Sequence, residues 1–334
     1  MGKAEDIGVL PSGRLLNSFR ETAMSDRTII CRAFAFLAAL FVSTSAHAIF
    51  RAYVASDGND ANPCTLPQPC RLLPAALTAV DAGGEIWMLD SANYNTATVT
   101  VGKSVSILAV PGAVGSVVAT GGPAISITAA GLKVALRNLV IIPLSGGGGT
   151  HGVHMTGASA LTIEHSLLAN LPGDGVLVQG TGTVKIADTI IRDTGDIGVN
   201  LQNGAAGAIS RTQMLRNSAG GVAATSAVGT TTASVSDSAF SGGGVGVVAF
   251  TTLAGAIAKV FVTRSTIEGM VNAGFGSQTS GGGSALVTIS YSMVTNNAAG
   301  WVQVGTGSIV KTLGNNHIED NGTNLGSLTS TGLQ

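Results

Sequence analysis

Leu161-Thr-Ile163-Glu-His165-Ser166-Leu-Leu168 is followed by Gly175-Val176-Leu-Val178. The same pattern returns 23 residues later as Val184-Lys-Ile186-Ala-Asp188-Thr189-Ile-Ile191, followed by Gly198-Val199-Asn-Leu201. Apolar and polar residues alternate with a period of two, the mark of a strand with one face turned inward. No 3.6-residue period runs through either copy, so the unit holds no helix. A unit of 23 residues has room for three short strands with sharp corners and exceeds the roughly 18 residues of a hexapeptide-repeat coil.

Working outward from Ile163, equivalent residues are Leu136, Ile186, Ile209, Val235, Val262, Ile289 and, more weakly, Leu313. Three residues after each stands Leu139, Ser166, Thr189, Thr212, Ser238, Ser265, Ser292 or Asn316. Five after stands an apolar residue, from Ile141 and Leu168 to Val294 and Ile318. Then comes a Gly-apolar step, from Gly152-Val153 to Gly300-Trp301. Val105-Ser-Ile107 and Ile125-Ser-Ile127 read as earlier, degenerate copies. Parallel coils stacked about 4.7–4.9 Å apart would turn these positions into columns. Each buried Ile, Val or Leu would contribute roughly 1.5–3 kcal/mol. The Ser/Thr column suits a corner where hydroxyls bond the neighbouring coil, and the stacked Asn296-Asn297 and Asn315-Asn316 suit turns. Longer repeats place insertions at residues 145–150, 227–232 and 277–283. The expected fold is all-β: a parallel β-helix solenoid.

Composition agrees. Of 334 residues, 47 are glycine and only 10% are charged, as expected for many short strands with tight turns. A net charge of −1 leaves no basic footprint for nucleic acid.

The N-terminal part reads differently. Arg27 and Arg32 precede an apolar run at residues 33–42 and an Ala46-His47-Ala48 cleavage signal. The run is too short to span a membrane. Residues 1–48 are therefore expected to be an extension and secretory signal, with Met24 as an alternative start to Met1. The mature chain would be secreted or periplasmic, a monomer, and without stable membrane insertion. Cys64 and Cys70 are expected to form a disulfide in that oxidising compartment; no nearby histidine completes a metal site. Residues 49–84 form a cap, with Leu72, Leu73, Ala76, Leu77 and Val80 spaced for a short helix over residues 71–80, ended by Ala82-Gly83-Gly84. Such a helix would cover the open end of the first coil. The solenoid would occupy residues 85–325, and residues 326–334 a polar tail.

At these residues the chain resembles a known group. The Ile-x-x-Ser/Thr-x-Ile and Gly-Val columns look like the right-handed parallel β-helix of the pectin-lyase-like superfamily. The segment from Tyr53-Val-Ala-Ser-Asp57-Gly through Pro69-Cys70-Arg71 to Gly84-Glu-Ile86 resembles the N-terminal cap of exported bacterial β-helix proteins. The resemblance implies the fold over residues 50–325. It leaves function open among lyases, hydrolases, epimerases and non-enzymatic surface proteins.

The most ordered polar feature lies two residues after each anchor: Asn138, His165, Asp188, Arg211, Asp237, Arg264, Tyr291 and Asn315. One reading is a structural charge ladder. The other takes Asp188, Arg211, Asp237 and Arg264 as a catalytic row, with His165, Arg192, Asp193 and Arg216 binding substrate and Asp174 and Asp196 widening the cleft. The acids fall on alternate coils, so Asp188 and Asp237 stand about 9–10 Å apart. Retaining hydrolysis uses carboxylates about 5 Å apart, and this separation meets only the outer limit for inversion. His151 and His154 flank one Gly-Val step without a third ligand and read as surface residues. Few polar-tipped aromatic rings offer a sugar platform. The expectation is a non-catalytic surface or extracellular binding protein for a polysaccharide or cell-surface ligand. The alternative is a lyase or glycoside hydrolase acting on acidic polysaccharide, with calcium if it is a lyase and otherwise no cofactor.

Overall fold

The structure is a computed structural model that describes residues 49–332. The expected signal segment and the choice between Met1 and Met24 lie outside the described residues. The rest is a right-handed parallel β-solenoid of about nine turns. A twelve-stranded sheet forms one face, and a seventeen-stranded sheet carries the two shorter faces.

The repeat register is the register of the sheets. Ile86, Ile107, Leu136, Ile163, Ile186, Ile209, Val235, Val262 and Ile289 are successive partners in the twelve-stranded sheet. Leu168, Ile191, Met214, Phe240, Ile267, Val294 and Ile318 form the second column. Val153, Val176, Val199, Val222, Val247, Phe275 and Trp301 form the third. All three point into one continuous core, where nearly every member is buried.

A polar column locks the coils together. Each Ser or Thr at the first corner donates to a carbonyl two residues back, as Ser238 Oγ does to Ser236 O at 2.7 Å. It also accepts from the backbone of the preceding coil: the Thr212 N–H donates to Ser238 Oγ at 3.2 Å, and the Ser238 N–H donates to Ser265 Oγ at 3.2 Å. The Gly-Val step has a steric cause. A Cβ on Gly152, Gly175, Gly198, Gly221 or Gly246 would sit 2.4–2.8 Å from the carbonyl oxygen of the equivalent glycine one coil on. The chain there passes too close to its neighbour for any side chain.

Several local expectations are corrected. The helix runs only over Leu73–Ala79, because Pro74 starts it and Val80 is already extended. The next strand is Val80–Met88, so Gly84 is a strand residue. A Cβ there would meet the Phe50 carbonyl oxygen at 2.4 Å. Ile125–Ile127 pairs with Val153–Met155, placing it in the Gly-Val column rather than the anchor column. Thr312, not Leu313, partners Ile289, and one extra residue before Ile318 restores the register. Much of two expected insertions is strand, since Thr230–Ser236 and Ala273–Thr279 extend into them. In the expected tail, Leu328–Ser330 pairs with Ser308–Thr312.

The cap closes the first coil. Leu73, Ala76 and Leu77 are buried against it. Cys64 and Cys70 are disulfide-bonded, with Cα atoms 4.6 Å apart. The loop they close is stitched to the first strand, with the Cys70 N–H donating to Tyr53 O and the Tyr53 N–H to Cys64 O.

Candidate functional site

The predicted polar column lies on the first corner. His165, Asp188, Arg211, Asp237, Arg264 and Tyr291 all adopt left-handed backbone, with φ between 46° and 51°. In that conformation each side chain projects from a sharp bend, and only Asn, Asp and Gly adopt it readily. The charges close into pairs between neighbouring coils. Arg211 donates to Asp188 through Nε at 2.7 Å and Nη2 at 2.8 Å. Arg264 grips Asp237 in the same fork, at 2.7 and 3.0 Å. The guanidinium beside each acid holds its carboxyl below the usual carboxylate range. Both pairs are exposed to solvent, where such contacts stabilise little.

The second corner repeats the arrangement once. Arg216 donates two hydrogen bonds to Asp193, at 2.7 and 3.0 Å, and Arg192 reaches the same carboxylate. Arg216, then Arg192, holds the Asp193 carboxyl low. The four residues proposed as a catalytic row thus form two closed pairs, and three of the four proposed binding residues form a third cluster. The His165 side chain is exposed next to Asp188 without a hydrogen-bond partner among the described residues, while its backbone N–H donates to Ala187 O.

A different constellation gathers at the third corner, where the chain enters the Gly-Val strands. In the register, His151, Asp174 and Ile197 occupy equivalent positions on three successive coils, immediately before their aligned glycines. Asp174 is 2% exposed. Its Oδ1 accepts from the Ile197 N–H at 3.1 Å and lies 3.4 Å from Asn200 Nδ2. Its Oδ2 lies 3.5 Å from Nδ1 of His151. Burial, reinforced by the charge of Asp196 on the next coil, pushes the Asp174 carboxyl up to about 6. Burial, and then the neighbouring His154, hold the His151 imidazole below its ordinary value. The two imidazole rings are 5.6 Å apart.

Amides complete the face. His154 Nε2 contacts Gln179 Oε1 at 2.8 Å, and Gln179 Nε2 donates to Gln202 Oε1 at 3.0 Å. Asn200 is 7% exposed, and its Oδ1 has no hydrogen-bond partner among the described residues. A buried acceptor without a donor costs about 1–3 kcal/mol. The site therefore offers imidazoles, carboxylates and amides within three coils. No group of three or more His, Cys, Asp or Glu side chains among the described residues is arranged to hold a metal ion.

Sequence reasoning placed Asp174 and Asp196 beside the charged column and left His151 and His154 as surface residues. The signal that joins them was present in the register: His151 and Asp174 each precede an aligned Gly-Val step.

The fold and these columns define a class, the parallel β-helix proteins. Residues 151–333 match the family described as "Right handed beta helix region", and the chain belongs to that family. Among solved structures it is similar to pectate lyase Pel9A, with a TM-score of 0.63 and 16% identity, covering 84% of this chain and 77% of that one. It is also similar to an alginate lyase from Paenibacillus sp. str. FPU-7, with a TM-score of 0.43 and 13% identity, covering 84% of this chain and 99% of that one. At these identities the likeness concerns the fold. No curated protein matches the chain.

Proposed function

We propose that this is an exported β-helix protein that binds a polysaccharide on the face formed by His151, His154, Asp174, Gln179, Asn200 and Gln202. The observation that carries the reading is the gathering of these imidazole, carboxylate and amide side chains on three successive coils, joined by the His154–Gln179, Gln179–Gln202 and Asp174–Asn200 contacts. Planar amides, imidazoles and carboxylates are the side chains that match sugar hydroxyls, each offering donors or acceptors at fixed angles. Export is supported by the signal-like sequence before Ile49 and by the Cys64–Cys70 disulfide. No helix of the described residues is long and apolar enough to cross a membrane. The charged column serves as a structural ladder in this account, because its acids are each engaged by an arginine fork.

A second reading has its own support. A carboxyl raised to about 6, next to a second carboxylate, is the pairing that glycoside hydrolases use as acid and base. Asp174 would then protonate the glycosidic oxygen while Asp196 activates water. Incubating the purified protein with neutral and acidic polysaccharides, with and without calcium, separates the two. Retention of polymer without new reducing ends supports binding; chain shortening abolished by Asp174→Asn supports hydrolysis and overturns the non-catalytic reading.

A further inference from the structure

We infer that the outer face of the twelve-stranded sheet is a second binding surface, separate from the third corner, and that it takes an acidic polysaccharide chain laid along the solenoid axis. The inference goes beyond the reading above and does not depend on it. Three observations carry it: where the lysines stand, what they lack, and the shape of the surface between them.

Lys133, Lys185, Lys259 and Lys311 each alternate with buried residues on their strands, so all four side chains point outward from this one sheet. Their arrangement repeats. Lys133 pairs with Ala160, which pairs with Thr183, and Lys185 stands two residues beyond Thr183. Lys259 pairs with Leu286, which pairs with Ile309, and Lys311 stands two residues beyond Ile309. Both couples thus follow the same diagonal, two coils up and two residues along, which sets the Cα atoms of each couple about 12 Å apart. The second couple repeats the first five coils on, about 24 Å along the axis.

None of these four ammonium groups has a hydrogen-bond or carboxylate partner among the described residues. Lys103, outside the strands, is different and donates to Val80 O at 2.8 Å. The strands from Val105–Ala109 to Ser308–Thr312 carry a single acid, Glu164, and Arg137 holds it at 2.7 Å. A face charged only for solubility mixes the two signs. Here a chain of net charge −1 gathers uncompensated cations on one side, which is the complement of an acidic partner.

The surface is also hollowed. A depression of about 400 Å³ is lined by Lys133 and Lys185 together with Ser106, Ala135, Thr162 and Thr183. A second, of about 390 Å³, opens farther along the same face around Phe261, with Ser234, Thr288 and Ser290 at its sides. A narrow chain that carries both acid groups and hydroxyls meets ammonium donors and hydroxyl partners here at once. The Phe261 ring, 42% exposed, offers a flat apolar surface to a sugar. A membrane would call for a broad apolar insertion face, and a single-stranded nucleic acid for a row of stacking rings; Phe261 is the one aromatic side chain on the strands from Val105–Ala109 to Ser308–Thr312.

Binding of the full chain to polygalacturonate, alginate and chondroitin sulfate tests this, with neutral xylan, vesicles of phosphatidylglycerol and phosphatidylcholine, and DNA measured alongside. The expected result is that an acidic polysaccharide binds most tightly and that added salt weakens it. Replacing all four lysines with glutamine should weaken that binding at least tenfold, and Lys103→Gln should leave it unchanged. Chains long enough to reach both couples should bind at least tenfold more tightly than fragments that reach one. Circular dichroism and thermal unfolding confirm that each variant is folded. No binding of any acidic polysaccharide, equal binding of xylan, or binding that the folded four-lysine variant retains overturns the inference. Vesicles or DNA bound more tightly than any acidic polysaccharide, and released in that variant, overturn the choice of ligand.

Discussion

The backbone N–H of Asp174 donates to Nδ1 of His151 at 3.0 Å, across one coil of the solenoid. Nδ1 is therefore the acceptor nitrogen of a neutral imidazole, and the ring carries its proton on Nε2. Protonating His151 would break this bond, which acts in the same direction as the burial that depresses its titration. Nitrogen-15 shifts of His151 should report the Nε2–H tautomer and a pKa below the ordinary 6.5. An Nδ1–H tautomer would mean that the coils are not joined in this way.

Asp174 makes stability depend on pH in the unusual direction for a carboxyl. Its folded-state value of about 6 lies above the ordinary 3.8, so the native state holds the proton more tightly. Its contribution is full below about 3.8 and is lost as pH rises through about 6, a change of about 3 kcal/mol. Asp188, Asp193 and Asp237 act oppositely. Their values are lowered, so their contribution is present above the unfolded value and lost as pH falls through the folded one. Asp174→Asn isolates the first effect. Denaturant unfolding at pH 4 and pH 8 should show the wild type losing about 2.5 kcal/mol relative to the variant; an equal pH response in both would contradict the burial of this group.

Gly221 tests the close passage of coils. A Cβ there would lie 2.4 Å from the Phe240 ring and 2.7 Å from the Gly246 carbonyl oxygen. Since neither the packed ring nor the backbone has room to retreat, Gly221→Ala should destabilise the protein by about 1–3 kcal/mol. Gly102, where an added Cβ meets nothing within 4 Å, is the control and should tolerate alanine.

Tyr291 tests the corners. Its φ is 48° and its side chain is largely exposed, so the left-handed backbone is a cost with little packing to offset it. Asparagine adopts this conformation more readily, and Tyr291→Asn should raise stability by about 0.5–1 kcal/mol in denaturant unfolding. A loss of stability would show that the ring contributes packing that its exposure conceals.

The solenoid was legible because its signal is repeated. Ile163, Ile186 and Ile209 need no outside information to be recognised as equivalents, and the sheets keep that equivalence. Legibility failed where local pattern is ambiguous. Ile125-Ser-Ile127 alternates just as Val105-Ser-Ile107 does, yet the two lie on different faces. Thr312 was passed over for Leu313 because the last coil places a polar residue where earlier coils place an apolar one. The left-handed corners were hidden because His, Arg and Tyr share the column with Asn138, Asp188 and Asp237, the residues that favour positive φ. The alternating charges of Asp188 to Arg264 were visible, but their closure into forks depends on side-chain reach between coils. Asp174 was hardest to place. Its burial is produced by residues 23 to 26 positions away, and no local pattern distinguishes it from an exposed turn aspartate.

The central claim is that recognition belongs to the third corner and not to the charged column. The most direct measurement is the affinity of a bound polysaccharide for three folded proteins: wild type, Asn200→Ala and Asp188→Asn. The account predicts at least a tenfold loss in Asn200→Ala and an unchanged affinity in Asp188→Asn. Loss confined to Asp188→Asn would contradict it and return the site to the column of paired charges.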